Sequence, residues 1–182
     1  MKKRRFFELL ALFLLTSCIL AFVLLSIWKI EYYTSLSVAL IFPSLVVVCG
    51  TFITRIKDRR RFLRESLIVL ASGVNYGCVF LLTVLFHFDI SIFIVIVTVL
   101  SFFVSILILN VGRSIGCICF SSVIGAVICI IALLSPPLAY GQMWAVDYAL
   151  EAAIQPVVRL LLFGIAFSFV GAILGSFASD AF

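Results

Sequence analysis

Apolar residues in this chain form long runs and do not alternate with polar ones. Six stretches, roughly 6–28, 36–53, 66–88, 90–111, 115–134 and 157–178, are apolar all round. Each is near the twenty or so residues that carry a helix across the hydrocarbon core of a bilayer. Barrel strands would be about half as long, with alternating polarity, so the pattern predicts helices. The breaks between runs are chemically distinct. Residues 31–35 are polar, 54–65 are charged, Gly112-Arg113 suits a tight turn, and Pro136-Pro137 ends the fifth run. Only 87–89 separates the third and fourth runs, which requires Asp89 at a water interface. The expected fold is an all-α integral membrane protein, one polytopic domain over 1–182 with a six-transmembrane-helix bundle.

Composition sharpens this. Of 182 residues, 65% are hydrophobic and 12% charged, with a mean hydropathy of +1.38. Ordinary soluble domains carry about twice that share of charge, so a water-soluble body is excluded, as is a separate soluble domain of usual size.

Charge then predicts orientation. Lys2, Lys3, Arg4 and Arg5 precede the first span. Arg55, Lys57, Arg59, Arg60, Arg61 and Arg64 fill the loop at 54–65, and Arg113 follows the fourth span. With six spans all of these fall on one side, and only Lys29 and Arg159 fall on the other. Bases accumulate on the cytoplasmic side of membrane proteins, so both termini are expected there. Trp28, Tyr32, Tyr33, Tyr140, Trp144 and Tyr148 cluster at the opposite, outer boundary, where aromatic rings favour the interface. The net charge of +5 is accounted for by topology and by anionic lipid heads, so no nucleic-acid partner is implied. The loop at 54–65 is a candidate contact for lipid heads or a cytoplasmic partner. Short loops and this bias suit a prokaryotic plasma membrane.

The N-terminus carries Leu15-Thr16-Ser17-Cys18, a lipobox-like pattern. Cleavage there would leave a stub too short to span, so an uncleaved anchor helix is expected in place of a lipidated Cys18.

Catalytic and metal chemistry find little support. The six cysteines, Cys18, Cys49, Cys78, Cys117, Cys119 and Cys129, lie in or at the ends of spans. Cys117 and Cys119 point some 200° apart on a regular helix and cannot chelate one ion together. Gly112-Arg113-Ser114-Ile115-Gly116 fits the G-x-S-x-G pattern, but that pattern needs a strand–turn–helix elbow with a histidine nearby. The single histidine, His87, is expected on the far side of the membrane. Neither an enzyme, a metal nor a cofactor is expected.

Candidate chemistry concentrates toward the outer side. The loop at 135–156 is long, and 142–155 reads as an outer helix, either interfacial or re-entrant. Asp147, Glu151, Gln155 and Arg159 recur every fourth residue and form one polar stripe. Glu151 and Arg159 are expected to be bridged through Gln155. Asn75, deep in the third span, needs a polar partner. Asn75, His87, Asp89, Asp147, Glu151 and Arg159 are therefore the ligand or solute candidates. Gly73 and Gly77, and Gly171 and Gly175 with Gly164 and Ser168, form small-residue faces for helix packing or partner docking. The bilayer is one expected partner; other membrane subunits or a second copy, docked through the glycine faces, are further ones. The expected function is a transport or substrate-binding membrane subunit with a site open to the outer face. The alternative is a non-catalytic scaffold or assembly subunit, with an intramembrane enzyme a distant third.

Overall fold

The computed structural model of the chain describes residues 59–181, apart from 88, 109, 140 and 142. The spans expected at 6–28 and 36–53, together with Arg55 and Lys57, lie outside the described residues. Within them there are four helices and no strand: α1 (Arg59–Phe86), α2 (Ile90–Ile108), α3 (Val111–Ala139) and α4 (Met143–Ala181). All four are long and apolar enough to cross a membrane. The chain is thus a helical, membrane-embedded protein. Large apolar side chains face outward, among them Val95, Phe120, Leu162 and Phe177. In water such a surface would be unstable; in lipid it is the expected solvent contact.

Local chemistry sets the helix ends. His87 follows the last residue of α1 with φ 50, a left-handed conformation that often terminates a helix. Two residues on, the Asp89 carboxylate accepts the Ser91 N–H at 3.1 Å and caps α2. Asn110 caps α3 in the same way: its Oδ1 accepts the Arg113 N–H at 3.1 Å. Ser114 donates its hydroxyl to the Asn110 carbonyl at 2.8 Å. The serine of the G-x-S-x-G pattern is therefore a buried residue in the first turn of a helix, not a nucleophile on an elbow.

Register follows from the close contacts. A Cβ placed on Gly73 would meet Ile124, and one on Gly77 would meet Ile128. Both partner positions advance together, so α1 and α3 run parallel. Gly171 faces Thr98 and Ser101, while Gly175 faces Phe102 and Ser105, so α2 and α4 are parallel as well. Between the pairs the sense reverses, since Tyr76 meets Ser168 and Phe80 meets Gly164. The bundle is therefore two parallel close-packed pairs, α1·α3 and α2·α4, set against each other.

Two helices extend beyond the apolar runs that mark them in the sequence. Helical structure continues through Pro136-Pro137 to Ala139, past the apolar span that ends at Leu134. The segment 142–155 is not a separate interfacial or re-entrant helix, because Met143–Ala181 is one helix with Pro156 inside it. Pro156 lacks the N–H that would bond the Ala152 carbonyl, a loss that membrane helices tolerate. The physical reason for continuity is a buried stripe that passes through this position: Ala153, Val157, Leu160, Gly164 and Ser168 all face inward. Packing along that face outweighs one missing bond.

Relative heights along the bundle also follow. Phe80 of α1 and Phe93 of α2 both touch the Gly164 position. At 1.5 Å per residue, the 87–89 turn then lies level with about residues 157–160 of α4. The 39 residues of α4 extend about 58 Å, nearly twice the hydrocarbon thickness.

Candidate functional site

The buried polar groups form a layer where the four helices meet. Tyr76 of α1 is fully buried, and its phenol lies 2.8 Å from the Ser168 hydroxyl of α4. Ser101 of α2 and Ser122 of α3 also neighbour the phenol. Each has its hydroxyl hydrogen committed locally: Ser101 donates to the Val97 carbonyl at 2.6 Å and Ser122 to Ile118 at 2.9 Å. Their oxygens remain acceptors. One aromatic hydroxyl therefore meets one small hydroxyl from each of the other three helices.

Further hydroxyls hold each parallel pair. Ser72 of α1 and Ser121 of α3 share a hydrogen bond of 2.5 Å, and Ser121 reaches across to the Val69 carbonyl at 3.2 Å. In the other pair Ser105 donates to the Ala172 carbonyl at 2.8 Å. These short side chains bond across helices only because glycines bring the backbones together. A Cβ on Gly125 would stand 2.6 Å from the Tyr76 Cβ and 2.8 Å from the Gly77 nitrogen. One on Gly171 would collide with the Thr98 carbonyl oxygen and the Ser101 hydroxyl. An aromatic run flanks the layer. Tyr76 meets Phe80 edge-on with centroids 6.1 Å apart, and Phe80 meets Phe93 at 5.7 Å.

The sequence candidates are distributed around this layer and do not converge on it. Asn75 is buried beside Tyr76 on α1. His87 and Asp89 are exposed at the α1–α2 turn, and Asp89 serves as a helix cap. Asp147, Glu151, Gln155 and Arg159 share one exposed face of α4, as their spacing implies. Among the described residues the ion pairs are Arg61–Glu65 and Arg113–Glu65; Glu151 and Arg159 do not pair. Gly73, Gly77, Gly164, Gly171 and Gly175 all stand inside crossings between helices of this chain.

The end of the bundle opposite the 87–89 turn is basic. Arg61 and Arg64 lie in the first turns of α1, and Arg113 in the first turn of α3. Arg59 and Arg60 begin α1. Glu65 accepts from Arg61 Nε at 3.2 Å and from an Arg113 terminal nitrogen at 3.4 Å, which ties α1 to α3.

Sequence reasoning missed most of the hydroxyl layer. Ser168 was legible only as a small packing residue, and Tyr76 only as the one aromatic hydroxyl away from the interface. No group of three or more His, Cys, Asp or Glu among the described residues could hold a metal ion. Comparison with protein families, characterised proteins and solved structures finds no match.

Proposed function

We propose that the chain is a non-catalytic membrane subunit that works by assembling with another membrane protein. One observation carries this reading: the charged candidates Asp147, Glu151 and Arg159 share an exposed face of α4, whereas solute sites gather convergent polar groups around a concavity. The buried hydroxyls instead bridge helices. The first part of α4 offers an exposed ring at Tyr148 beside the Asp147–Glu151 stripe, and a partner helix with complementary bases suits it. In this reading the chain has six spans, with the basic end and both termini cytoplasmic, in a prokaryotic plasma membrane.

Solute binding is the second reading. Its support is Asn75, which lies beside the buried hydroxyl layer. One experiment separates the two. The full chain is affinity-purified in mild detergent, beside Glu151→Lys, and analysed by mass spectrometry for protein and small molecules. A stoichiometric polypeptide that leaves with Glu151→Lys supports assembly. A lone chain that retains a small polar molecule selects the solute reading and discards assembly.

A further inference from the structure

We propose that the apolar run at 36–53 packs on the side of α1 turned away from the other helices, along a stripe formed by Ile68, Ala71, Asn75 and Cys78. Burial is the first support. Leu67 and Leu85 are exposed, yet no residue from 68 to 84 is. α1 meets α3 through Ser72, Gly73 and Gly77, α4 through Tyr76 and α2 through Phe80. At about 100° per residue, Ala71 and Cys78 point roughly 170° from the mean direction of those five. Their exposures are nevertheless 8% and 0%. The outward faces of the other helices show how an uncovered position behaves: Val95 is 61% exposed, Phe120 70% and Leu162 64%.

Spacing is the second support. Positions 64, 68, 71, 75, 78 and 82 advance by alternating fours and threes, the seam on which one long helix seats another. Ile68, Ala71, Asn75 and Cys78 are buried along it, and Arg64 and Leu82 at its ends are half-buried. Ala71 and Cys78 are small, so a neighbouring backbone can approach closely. One chain produces this burial, so the cover is a segment of the same polypeptide. With α2, α3 and α4 on the other side, the chain before Arg59 supplies it.

Chain length selects the segment. Apolar runs joined by a charged loop end at one membrane surface, so residue 53 stands level with residue 66. Arg59, where α1 begins, then lies about 10 Å beyond that surface. Residues 54–58 bridge at most about 20 Å, which leaves a sideways reach of roughly 17 Å. Helices pack about 8–10 Å apart, so 36–53 must stand next to α1, where the open place is the Ala71–Cys78 stripe. The run at 6–28 has no such tether. An antiparallel seat at this level sets residue 48 beside Ala71 and residue 41 beside Cys78. The partner proposed for α4 makes no use of this side of α1, so the two proposals stand or fall separately.

The test uses the full chain in membrane vesicles, with Cys78 kept and the other native cysteines replaced by alanine. Ala39→Cys, Leu40→Cys, Ile41→Cys and Phe42→Cys are introduced one at a time, covering every face of one turn. Copper phenanthroline oxidises the pairs, and trypsin cuts the basic loop at 54–65. Mass spectrometry of the monomer band then reads whether peptides from 36–53 remain joined to the peptide carrying Cys78. One or two of the four positions should join, and reductant should release them. With Cys78→Ala and Val95→Cys in its place, none should. No joining at any of the four, equal joining to Val95→Cys, or a product at dimer mass only overturns the proposal. So does joining to Thr16→Cys, Ser17→Cys, retained Cys18 or Ile19→Cys in their stead, which would seat the run at 6–28 there. A second measurement needs no disulfide. Ala71→Leu should lower the melting temperature by several degrees through overpacking, while Val95→Leu should not. Unchanged melting of Ala71→Leu would mean a face open to lipid and also overturns the proposal.

Discussion

The Tyr76 phenol lies 2.8 Å from the Ser168 hydroxyl, joining α1 to α4, one helix from each parallel pair. Within a pair, glycines hold the backbones in close contact. Between the pairs, this buried polar link sits on large side chains that stack loosely, Phe80 on Phe93 at 5.7 Å. Hydrocarbon offers a broken hydroxyl no alternative partner except the protein itself, so the link fixes how the pairs are set against each other.

Tyr76→Phe should therefore destabilise the chain, but modestly. Interhelical hydrogen bonds in membranes average about 0.6 kcal/mol and reach about 1.7. The released Ser168 hydroxyl can turn to a carbonyl in its own helix. A double-mutant cycle of Tyr76→Phe and Ser168→Ala, followed by detergent denaturation, should give a coupling of about 0.6 kcal/mol. A coupling of zero would mean that the hydroxyls do not act on each other.

The glycines separate into two classes that one substitution distinguishes. Gly125→Ala and Gly171→Ala place a Cβ against neighbouring backbone, and overpacking of this kind costs about 1–3 kcal/mol. Gly116→Ala meets no atom and should be neutral or stabilising by up to about 1 kcal/mol through helix propensity. Melting curves of the three variants in the same detergent measure the contrast. Equal losses at all three positions would contradict the register of both parallel pairs.

Helix existence was legible in the sequence because lipid leaves a spanning backbone few alternatives, so the apolar runs at 66–88, 90–111, 115–134 and 157–178 each correspond to a helix. Pairing was not legible. Gly73 and Gly77 announce a close approach but not its partner; α3 receives them because Gly125 stands opposite. The reading of 142–155 as a separate outer helix failed because the buried face running through 153, 157, 160 and 164 carries one helix past Pro156. The hydroxyl layer left almost no trace, since serine in a helix can always bond its own preceding turn, as Ser101 and Ser122 do. Asn75, the conspicuous residue, lies next to that layer.

The two capping residues should behave alike although they stand at opposite ends. Asp89→Ala removes the acceptor for the Ser91 N–H, and Asn110→Ala the acceptor for the Arg113 N–H. Each should cost about 1 kcal/mol, against only a few tenths for the glycine replacement. Thermal denaturation of both pairs of variants reads this. If Ala and Gly prove equivalent at position 89, the carboxylate does not cap α2.

Orientation is open to direct chemical test. Cysteine probes are placed at 112 and 148 in a chain whose own cysteines are replaced by alanine. Both sites are exposed, Gly112 in the first turn of α3 and Tyr148 near the start of α4. The positive-inside rule places the end bearing Arg61, Arg64 and Arg113 in the cytoplasm. A membrane-impermeant maleimide added to intact cells should then label Tyr148→Cys at once and Gly112→Cys only after permeabilisation. A third probe at Lys2 extends the test to the spans outside the described residues. With two spans between 6 and 53, Lys2→Cys must behave like Gly112→Cys; with one, like Tyr148→Cys. Labelling of Lys2→Cys in intact cells would therefore remove one of the six spans, and labelling of Gly112→Cys there would invert the whole arrangement.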